Sequence, residues 1–419
     1  MKNKKILVLS NACFSETDAN GRTLMRHFQG FMPENLAQFY VYGTPDASAC
    51  STYYRVSDRD ALNSLLRFRQ TGGPVCADTE RGGNTAGAGR TGKTPFKMLL
   101  RELAWKLGRW KGSRLDAWIK AFAPDCVLVF AADNCFLPDL ARWIAKRYGI
   151  PAVLYSTEDY FFKEYNYLTQ KPSLMYRLFH ALLKRSYRCL EPWVAGGILN
   201  SEMLRDTYQQ TFSFPCTALY AQSDLEFIPR ASLPGQNSFH MAYLGNLRLG
   251  RHRALMQLAD CAAEILPGAM LDVYGGASDE VLAELQQCPH LRYRGVVSYQ
   301  QVVQVMRKSD LLVHAEYNDD FLNRDLLHAF STKIADSVSS GTPLLVFAPP
   351  MLTEVRFVKQ HGCAFAASTP EELTQELCRA MKDESARRAV LAQAQKVRSK
   401  IFCCPGGMER ALDQFLHQN

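Results

Sequence analysis

The sequence lacks the features that mark zinc-bound, secreted or membrane-spanning proteins. None of its 13 cysteines falls in a paired CxxC spacing, which argues against a zinc site. No run of about 18 apolar residues occurs, so no membrane-spanning helix is predicted. The first segment, MKNKKILVLSNACF, has no long apolar region and no small-residue cleavage site, and we expect it to form a buried strand instead of a signal peptide. Many unpaired thiols are typical of a reducing compartment, so we expect a cytoplasmic protein.

The chain also lacks a large excess of charge of one sign. The chain has 49 Lys and Arg against 41 Asp and Glu, a formal net charge of +8. Nearly all of that excess lies in residues 90–120, which contain nine basic and two acidic residues. A positive charge this local indicates a surface patch, and we expect no nucleic-acid partner.

The basic segment also has the pattern of an amphipathic helix, on which Lys97, Arg101 and Lys106 lie. Its apolar residues at helical spacing are Phe96, Leu99, Leu100, Leu103, Leu107 and Trp110. Two interpretations remain open. The helix could lie on an anionic membrane surface, or it could be a surface helix that packs its apolar stripe on the sheet.

Short apolar runs alternate with helical stretches along the whole chain. In the first half the predicted strands are 5–10, 38–43, 126–130, 152–156, 196–200 and 216–220. In the second half they are 240–245, 270–275, 291–295, 310–316, 343–348 and 363–367. Apolar runs of this length are typical of strands buried on both faces of a parallel sheet. The pattern predicts an α/β fold of two Rossmann-like, doubly wound domains facing a cleft.

Turn-forming residues at 228–239, IPRASLPGQNSF, predict a linker between the two domains. We therefore predict an N-terminal domain over 1–227, with a basic amphipathic insert near 90–120, and a C-terminal domain over 240–400. Residues 401–419 are predicted to form a C-terminal helix that could cross back to the N-terminal domain.

Residues 87–94, GAGRTGKT, match the phosphate-loop pattern GxxxxGKS/T. A true phosphate loop needs a strand before it and a helix after it, with Lys93 and Thr94 on the nucleotide. The preceding stretch is Gly-rich and contains no credible strand, so we interpret the match as accidental. A nucleotide triphosphatase remains a rival function, and ATP turnover lost on Lys93→Ala would identify it.

A second phosphate signal lies in residues 309–350. Ser331 or Thr332 can cap a helix start, whose N–H groups and dipole favour an anion. Lys333 follows in the first turn, where a cation is disfavoured unless an anion binds nearby. Asp336 lies one turn later, where a carboxylate could accept hydrogen bonds from the two hydroxyls of a ribose, although a solvated helix-face acid remains the alternative.

This stretch resembles the donor-binding region of GT-B glycosyltransferases, in particular the glycosyltransferase family 4-like group. In that group an acid follows the fourth strand of the C-terminal domain and a second acid lies on the next helix, places that Glu316 and Asp336 match. STKIADSVSSGTPLL (331–345) is similar to the group's motif, but the second acid is Asp instead of Glu and the spacing between the acids is longer. The resemblance covers nearly the whole chain and is strongest from about 240 to 350.

The resemblance implies roles for residues in both domains. YLGNLRLGRHRAL (243–255) is similar to the first strand and glycine turn of the group, so Gly245, Arg248 and Arg251 join Ser331, Thr332, Lys333 and Asp336 as donor-binding candidates. SETDANGRTL (15–24) is similar to its acceptor-side loop, with Asn20 and Gly21 allowing close backbone approach and Arg22 meeting an anion. The candidate catalytic residues are Glu316, placed on the hydroxyls of the transferred sugar, and Glu158 and Asp159, one of which could instead cap the next segment.

The implied reaction moves a sugar from a nucleoside diphosphate sugar to an acceptor hydroxyl, with retention of configuration and with no metal or other cofactor. The acceptor would be a glycan or a lipid-linked intermediate in surface polysaccharide assembly, and the protein could lie on the inner membrane face. Two further alternatives remain: a sugar-nucleotide epimerase of the same fold, and a non-catalytic partner subunit of a transferase.

Overall fold

The computed structural model describes residues 4–16, 19–76, 94–164, 172–233 and 239–416. The chain forms two compact units. The first contains Met1–Leu219 and Pro405–Asn419, and the second contains Tyr220–Cys404. Except for Thr94, the GAGRTGKT stretch lies outside the described residues.

The first unit is built on an eight-stranded sheet. Its strands are β1 (Ile6–Leu9), β2 (Leu36–Tyr40), β3 (Thr52–Arg55), β4 (Gly73–Val75), β5 (Cys126–Phe130), β6 (Ala152–Ser156), β7 (Val194–Leu199) and β8 (Cys216–Ala218). The strand order is β4-β3-β2-β1-β5-β6-β7-β8, and among the described strands only β3 and β4 pair antiparallel. Strands β1, β2, β5 and β6 are buried along their whole length, because helices cover both faces of the sheet.

Eight described helices belong to the first unit. They are α1 (Ala19–His27), α2 (Asp58–Leu66), α3 (Pro95–Leu107), α4 (Ser113–Phe122), α5 (Phe136–Tyr148), α6 (Leu174–Leu190), α7 (Glu202–Thr211) and α16 (Gly407–Leu416). The last of these lies far along the chain, and Phe415 on it packs directly against Gly196 of β7. Among the described helices of both units, none has the length and apolar character needed to cross a membrane.

The second unit has a six-stranded sheet whose described pairs are all parallel. Its strands are β9 (Phe239–Leu244), β10 (Ala269–Tyr274), β11 (Leu291–Gly295), β12 (Leu311–Ala315), β13 (Leu344–Phe347) and β14 (Phe365–Ala367). Its helices are α8 (Arg251–Ile265), α9 (Asp279–Leu285), α10 (Tyr299–Lys308), α11 (Asp320–Leu326), α12 (Thr332–Ser340), α13 (Thr353–His361), α14 (Pro370–Lys382) and α15 (Glu384–Val397). The strand order β11-β10-β9-β12-β13-β14 is that of the dinucleotide-binding Rossmann fold.

The predicted α/β fold with two doubly wound sheets is confirmed. Each of the twelve predicted strands coincides with an observed one. The prediction missed β3 and β4, whose sequences TYYR and GPV contain no long apolar run. Pro74 in β4 has no N–H for a ladder, which is why that strand lies at the edge of the sheet.

The boundary between the units lies at Tyr220, ahead of the linker predicted at 228–239. Arg230 already belongs to the second unit, because its N–H donates to the Gly341 carbonyl over 2.8 Å. Its own carbonyl accepts a 3.0 Å hydrogen bond from the guanidinium of Arg387. The turn-forming residues therefore do form a loop, but the backbone hydrogen bonds of Arg230 hold that loop against the second unit.

Gly341 ends α12 with φ +82°, and a Cβ there would lie 2.3 Å from the Ile228 carbonyl oxygen. We expect Gly341→Ala to lower the free energy of unfolding by about 3 kcal/mol, because left-handed strain and a backbone clash add. Gly149 is the matched control, since it ends α5 at φ +67° with no atom within 4 Å of an added Cβ. Gly149→Ala should lower the free energy of unfolding, measured with urea, by about 1 kcal/mol. Equal losses in the two variants would contradict a backbone clash at position 341.

Candidate functional site

The strand order of the second unit reverses at the carboxyl ends of β9 and β12. Connections lead from β9 toward β10 on one side, and the chain later returns to place β12 on the other. Open parallel sheets bind ligands at such a point, because the loops after the two strands separate there. β9 is followed by the turn 245–250 and β12 by Glu316. Gly245, Arg248, Arg251 and Glu316, all predicted site residues, therefore lie at one end of this sheet.

Arg251 opens α8 and holds Glu316 with both ends of its guanidinium. Its Nε donates to Glu316 Oε2 over 2.8 Å, and its Nη2 lies 2.7 Å from Oε1. Its Nη1 donates to the Asn246 side-chain oxygen over 2.6 Å. The Glu316 side chain is 2% exposed, so loss of Arg251 would leave a buried carboxylate unpaired. Arg251, predicted to bind the donor, and Glu316, predicted to contact the transferred sugar, are thus partners, and Arg251 orients the Glu316 carboxylate.

Lys333 lies in the first turn of α12 and extends to the Gly245 turn. A Cβ on Gly245 would lie 2.4 Å from Lys333 Nζ, so a glycine leaves the room that the ammonium group occupies. Burial, followed by the charge of Arg251, lowers the pKa of Lys333 to about 8. The positive end of the α12 dipole opposes this cation, so the helix start and Lys333 together make the Gly245 turn electropositive.

Two buried titratable residues that we did not predict complete the cluster. Burial, followed by the charge of Glu316, raises the pKa of Glu354 on α13 to about 8. His314 of β12 has its Nε2 3.7 Å from Glu316 and 3.9 Å from Glu354. Burial, followed by the charge of Lys333, lowers the pKa of His314 to about 3. At neutral pH His314 is therefore uncharged and Glu354 is largely protonated. Arg251 and Lys333 thus bring two basic side chains to this cluster, one of which is paired with Glu316.

The ligand atoms of His314, Glu316 and Glu354 lie within 4.8 Å of one another, a spacing that could hold a metal ion. Both oxygens of Glu316 already contact Arg251, and Lys333 is close enough to lower the pKa of His314. A divalent cation there would face two protein cations at short range in a buried site. The charges suit an anion beside Lys333 better than a metal ion among the carboxyl groups.

Asp336 lies one turn after Lys333, where the sequence predicted it, and is half-buried. Its Oδ1 accepts a hydrogen bond from the Ser223 hydroxyl over 2.7 Å, and its Oδ2 accepts one from the Tyr299 hydroxyl over 3.3 Å. A carboxylate that accepts from two hydroxyls has the chemistry that a ribose diol requires. Protein hydroxyls hold both oxygens here, so a ribose would have to share or replace them.

The remaining donor-side candidates surround the same helix start. Ser331 precedes α12, but within the described chain its side chain makes no capping hydrogen bond. Thr332, the first helical residue, is exposed, as is Arg248 in the Gly245 turn. The sequence predicted a side-chain cap from Ser331 or Thr332; Ser331 makes none among the described residues, and Thr332 lies within the helix itself. The Ser331 backbone lies close enough to the Glu354 carboxyl group to oppose part of the rise in its pKa.

The acceptor-side candidates Asn20, Gly21 and Arg22 lie within α1 and not in a loop. A Cβ on Gly21 would lie 2.4 Å from the Cys13 carbonyl oxygen, so this glycine allows α1 to pack on the segment after β1. Arg22 Nε donates to the Glu16 carbonyl over 3.1 Å. The loop that we predicted through these residues is thus replaced by a helix start, and the close backbone approach at Gly21 is internal to the protein.

Glu158 and Asp159 follow β6 at the carboxyl end of the first sheet, as predicted. Asp159 is buried, and its Oδ1 accepts the Phe162 N–H over 3.0 Å, which is the capping role that we had considered for one of the two. Glu158 pairs with Lys163 over 3.4 Å, and its side chain is 47% exposed. Glu158 is therefore the better placed of the two to contact a ligand.

Sequence reasoning missed polar residues where the strand order of the first sheet reverses. Asn134 Nδ2 donates to Asn11 Oδ1 over 3.3 Å, which joins the segments after β1 and β5. A signal for both was present, because each follows an apolar strand closely. Glu354 and His314 gave weaker signals in the sequence. Glu354 lies on α13, outside the motif at 331–345, and His314 lies within the apolar strand β12.

Comparison with known proteins identifies the fold. No protein-family model and no curated protein matches the sequence. The sucrose-phosphate synthase of Thermosynechococcus elongatus aligns over 99% of both chains, with a TM-score of 0.63 and 10% identity. The Anabaena protein HepE, solved in complex with UDP and glucose, aligns over 100% of both chains, with a TM-score of 0.62 and 13% identity. The glycotransferase of kitacinnamycin aligns over 99% of both chains, with a TM-score of 0.52 and 14% identity.

Likenesses at this level of identity establish the fold. The narrower assignment to the glycosyltransferase family 4-like group stays a prediction. With two Rossmann-like units and structural neighbours along its whole length, the chain has the GT-B fold of glycosyltransferases.

Proposed function

We propose that the protein is a glycosyltransferase that moves a sugar from a nucleoside diphosphate sugar to an acceptor hydroxyl. The observation that carries this proposal is the group of Lys333, Gly245 and the start of α12 at the strand-order reversal of the second unit. A diphosphate fits this group, because the Lys333 side chain and the N–H groups at the start of α12 are both electropositive and lie beside the Gly245 turn.

The chemistry of the leaving group supports the same residues. Transfer breaks the bond between the anomeric carbon and a phosphate oxygen, and the departing diphosphate gains negative charge. Lys333 and the N–H groups at the start of α12 would stabilise that charge without a metal ion. Arg251 is a positioning residue in this account, because it holds the Glu316 carboxylate that would contact the hydroxyls of the transferred sugar.

Several finer parts of the proposal concern the rest of the substrate. Asp336 would bind the ribose, and Arg248 would contact the diphosphate from the Gly245 turn. The sugar would be transferred with retention of configuration, with Glu158 on the acceptor side. The acceptor would be a glycan or a lipid-linked intermediate of surface polysaccharide assembly. The neighbour solved with UDP and glucose makes UDP-glucose a sensible first donor to test.

Donor binding and turnover test the proposal with UDP-glucose, GDP-mannose and dTDP-rhamnose. We expect one of them, at about 100 times its dissociation constant, to stabilise the folded protein by about 2.7 kcal/mol in a thermal-shift experiment. With no acceptor present, water should take the place of the acceptor hydroxyl, so that the donor is slowly hydrolysed and its nucleoside diphosphate is released. An isomerised donor with no release would indicate the epimerase, and no binding of any donor would indicate a non-catalytic subunit.

A further inference from the structure

Large exposed apolar side chains are concentrated on three adjoining helices of the first unit and on Phe68, two residues after the first of them. α3 packs between α2 and α6. The exposed residues, which we call the α2–α3–α6 surface, are Leu62, Leu66, Phe68, Phe96, Leu100, Leu103, Leu107, Leu174, Met175 and Leu178. Their exposed fractions run from 46% to 82%. A concentration of this kind marks an interaction surface, whereas single exposed apolar residues are ordinary.

The apolar stripe of α3 faces away from the sheet. Its members are Phe96, Leu100, Leu103 and Leu107, whose spacing places them on one helix face. The opposite face carries Trp105, which is 1% exposed and stacks on Phe136 with ring centres 3.8 Å apart. Trp105 Nε1 also donates to Asp58 over 2.7 Å, which fixes the rotation of α3. Of the six stripe residues that the sequence predicted, these four are exposed, whereas Leu99 and Trp110 pack against the core of the first unit. Each of the two interpretations that the sequence had left open therefore holds for part of the stripe.

The charge around this surface is almost entirely positive. Residues 58–69, 94–111 and 174–188 contain twelve basic and three acidic residues. Glu102 is buried, and burial raises its pKa to about 7. Asp58 pairs with Arg101 over 2.8 Å, and Asp60 is held in the capping box of Ser57. A partner for this surface therefore combines negative charge with an apolar interior.

We propose that the α2–α3–α6 surface docks the first unit on an anionic phospholipid membrane. Helix geometry places Lys97 and Lys106 on opposite sides of the α3 stripe, so their ammonium groups would reach the headgroups while the stripe enters the acyl boundary. Eight of the ten exposed side chains are Leu or Met, which cannot stack on bases as aromatic rings do, so the surface suits acyl chains better than nucleic acid. Membrane docking rests on the proposed function in one respect, because it would bring the protein to a lipid-linked acceptor. Binding to the membrane itself does not require glycosyl transfer, so the two can be tested separately.

Sedimentation with sucrose-loaded vesicles tests the docking surface. The full chain should bind phosphatidylglycerol-containing vesicles, bind pure phosphatidylcholine weakly, and dissociate as salt is raised. Leu100→Ser with Leu103→Ser should weaken binding about tenfold or more. Lys97→Gln with Lys106→Gln should weaken vesicle binding about thirtyfold, since each lysine near an anionic surface contributes about 1 kcal/mol of attraction. The matched controls are Met32→Ser and Lys308→Gln, which replace exposed residues elsewhere and should change nothing.

Folding and donor binding are measured on the same variants. Both should stay unchanged, because the substituted side chains are exposed and lie outside the donor site. Failure of vesicle binding with intact donor binding would overturn the docking proposal alone. Equal vesicle binding by the leucine variant would also overturn it. Light scattering that shows a dimer of the wild type, lost in the leucine variant, would mean that a second copy covers the surface instead.

Discussion

Lys333→Ala is expected to lower kcat/KM for the nucleotide sugar by about 10²–10³-fold, because one preorganised donor to the developing charge of the diphosphate is lost. Its Nζ lies beside the Gly245 turn, which the phosphates would face. The measurement is steady-state release of nucleoside diphosphate over a range of donor concentrations. Most of the loss should appear in kcat, since the leaving diphosphate carries more charge than the bound one.

Lys308→Ala is the matched control, because Lys308 is an exposed lysine in the last turn of α10 in the same unit. It should keep full activity. Lys333→Arg separates charge from fit: it retains a cation that does not titrate, but the larger group has little room beside Gly245. Full activity of Lys333→Ala would remove the central residue of the proposed donor site.

Affinity for the nucleotide sugar should fall by about tenfold to a hundredfold between pH 7 and pH 9. Two groups titrate in this range, and they act in the same direction. Lys333, with its pKa lowered to about 8, loses its positive charge, and Glu354, with its pKa raised to about 8, gains a negative charge. Titration calorimetry at each pH measures the change. Above pH 8 in buffers of different ionisation enthalpy, binding should also take up protons, because a bound diphosphate favours the protonated form of both groups.

Glu354→Gln separates the two contributions. It should halve the slope of log affinity against pH, since only Lys333 then titrates. The variant also reports on folding: the pKa of Glu354 is raised in the folded state, so the wild type loses stability relative to the variant as pH rises from about 4.5 toward 8. A variant with the wild-type pH dependence of both properties would show that Glu354 is already ionised at neutral pH.

The fold could be predicted because its determinants are local. Buried parallel strands require apolar runs such as CVLVF at β5, and a glycine, Gly149, ends α5 in the left-handed conformation. β3 and β4 could not be predicted in this way, because these short strands contain no long apolar run and depend on the strands that they pair with. The same holds for Arg230, whose backbone partners lie in distant segments.

The site was predictable in part, for a related reason. Lys333 conflicts with the dipole of its own helix, and that conflict is visible in the sequence. The ion pair of Arg251 with Glu316 spans 65 positions and depends on the sheet topology. The proton states of Glu354 and His314 depend on burial, which residue type alone does not give. The exposed stripe of α3 likewise has the same periodicity as a buried one, and only its neighbours distinguish the two.

The most direct test of the account is a crystal structure of the protein with a bound nucleoside diphosphate. The account predicts the terminal phosphate within hydrogen-bonding distance of Lys333 Nζ and the start of α12, with the Gly245 turn against it and Arg251 still paired with Glu316. A diphosphate bound to the first unit, or bound to the second unit away from Lys333, would contradict it.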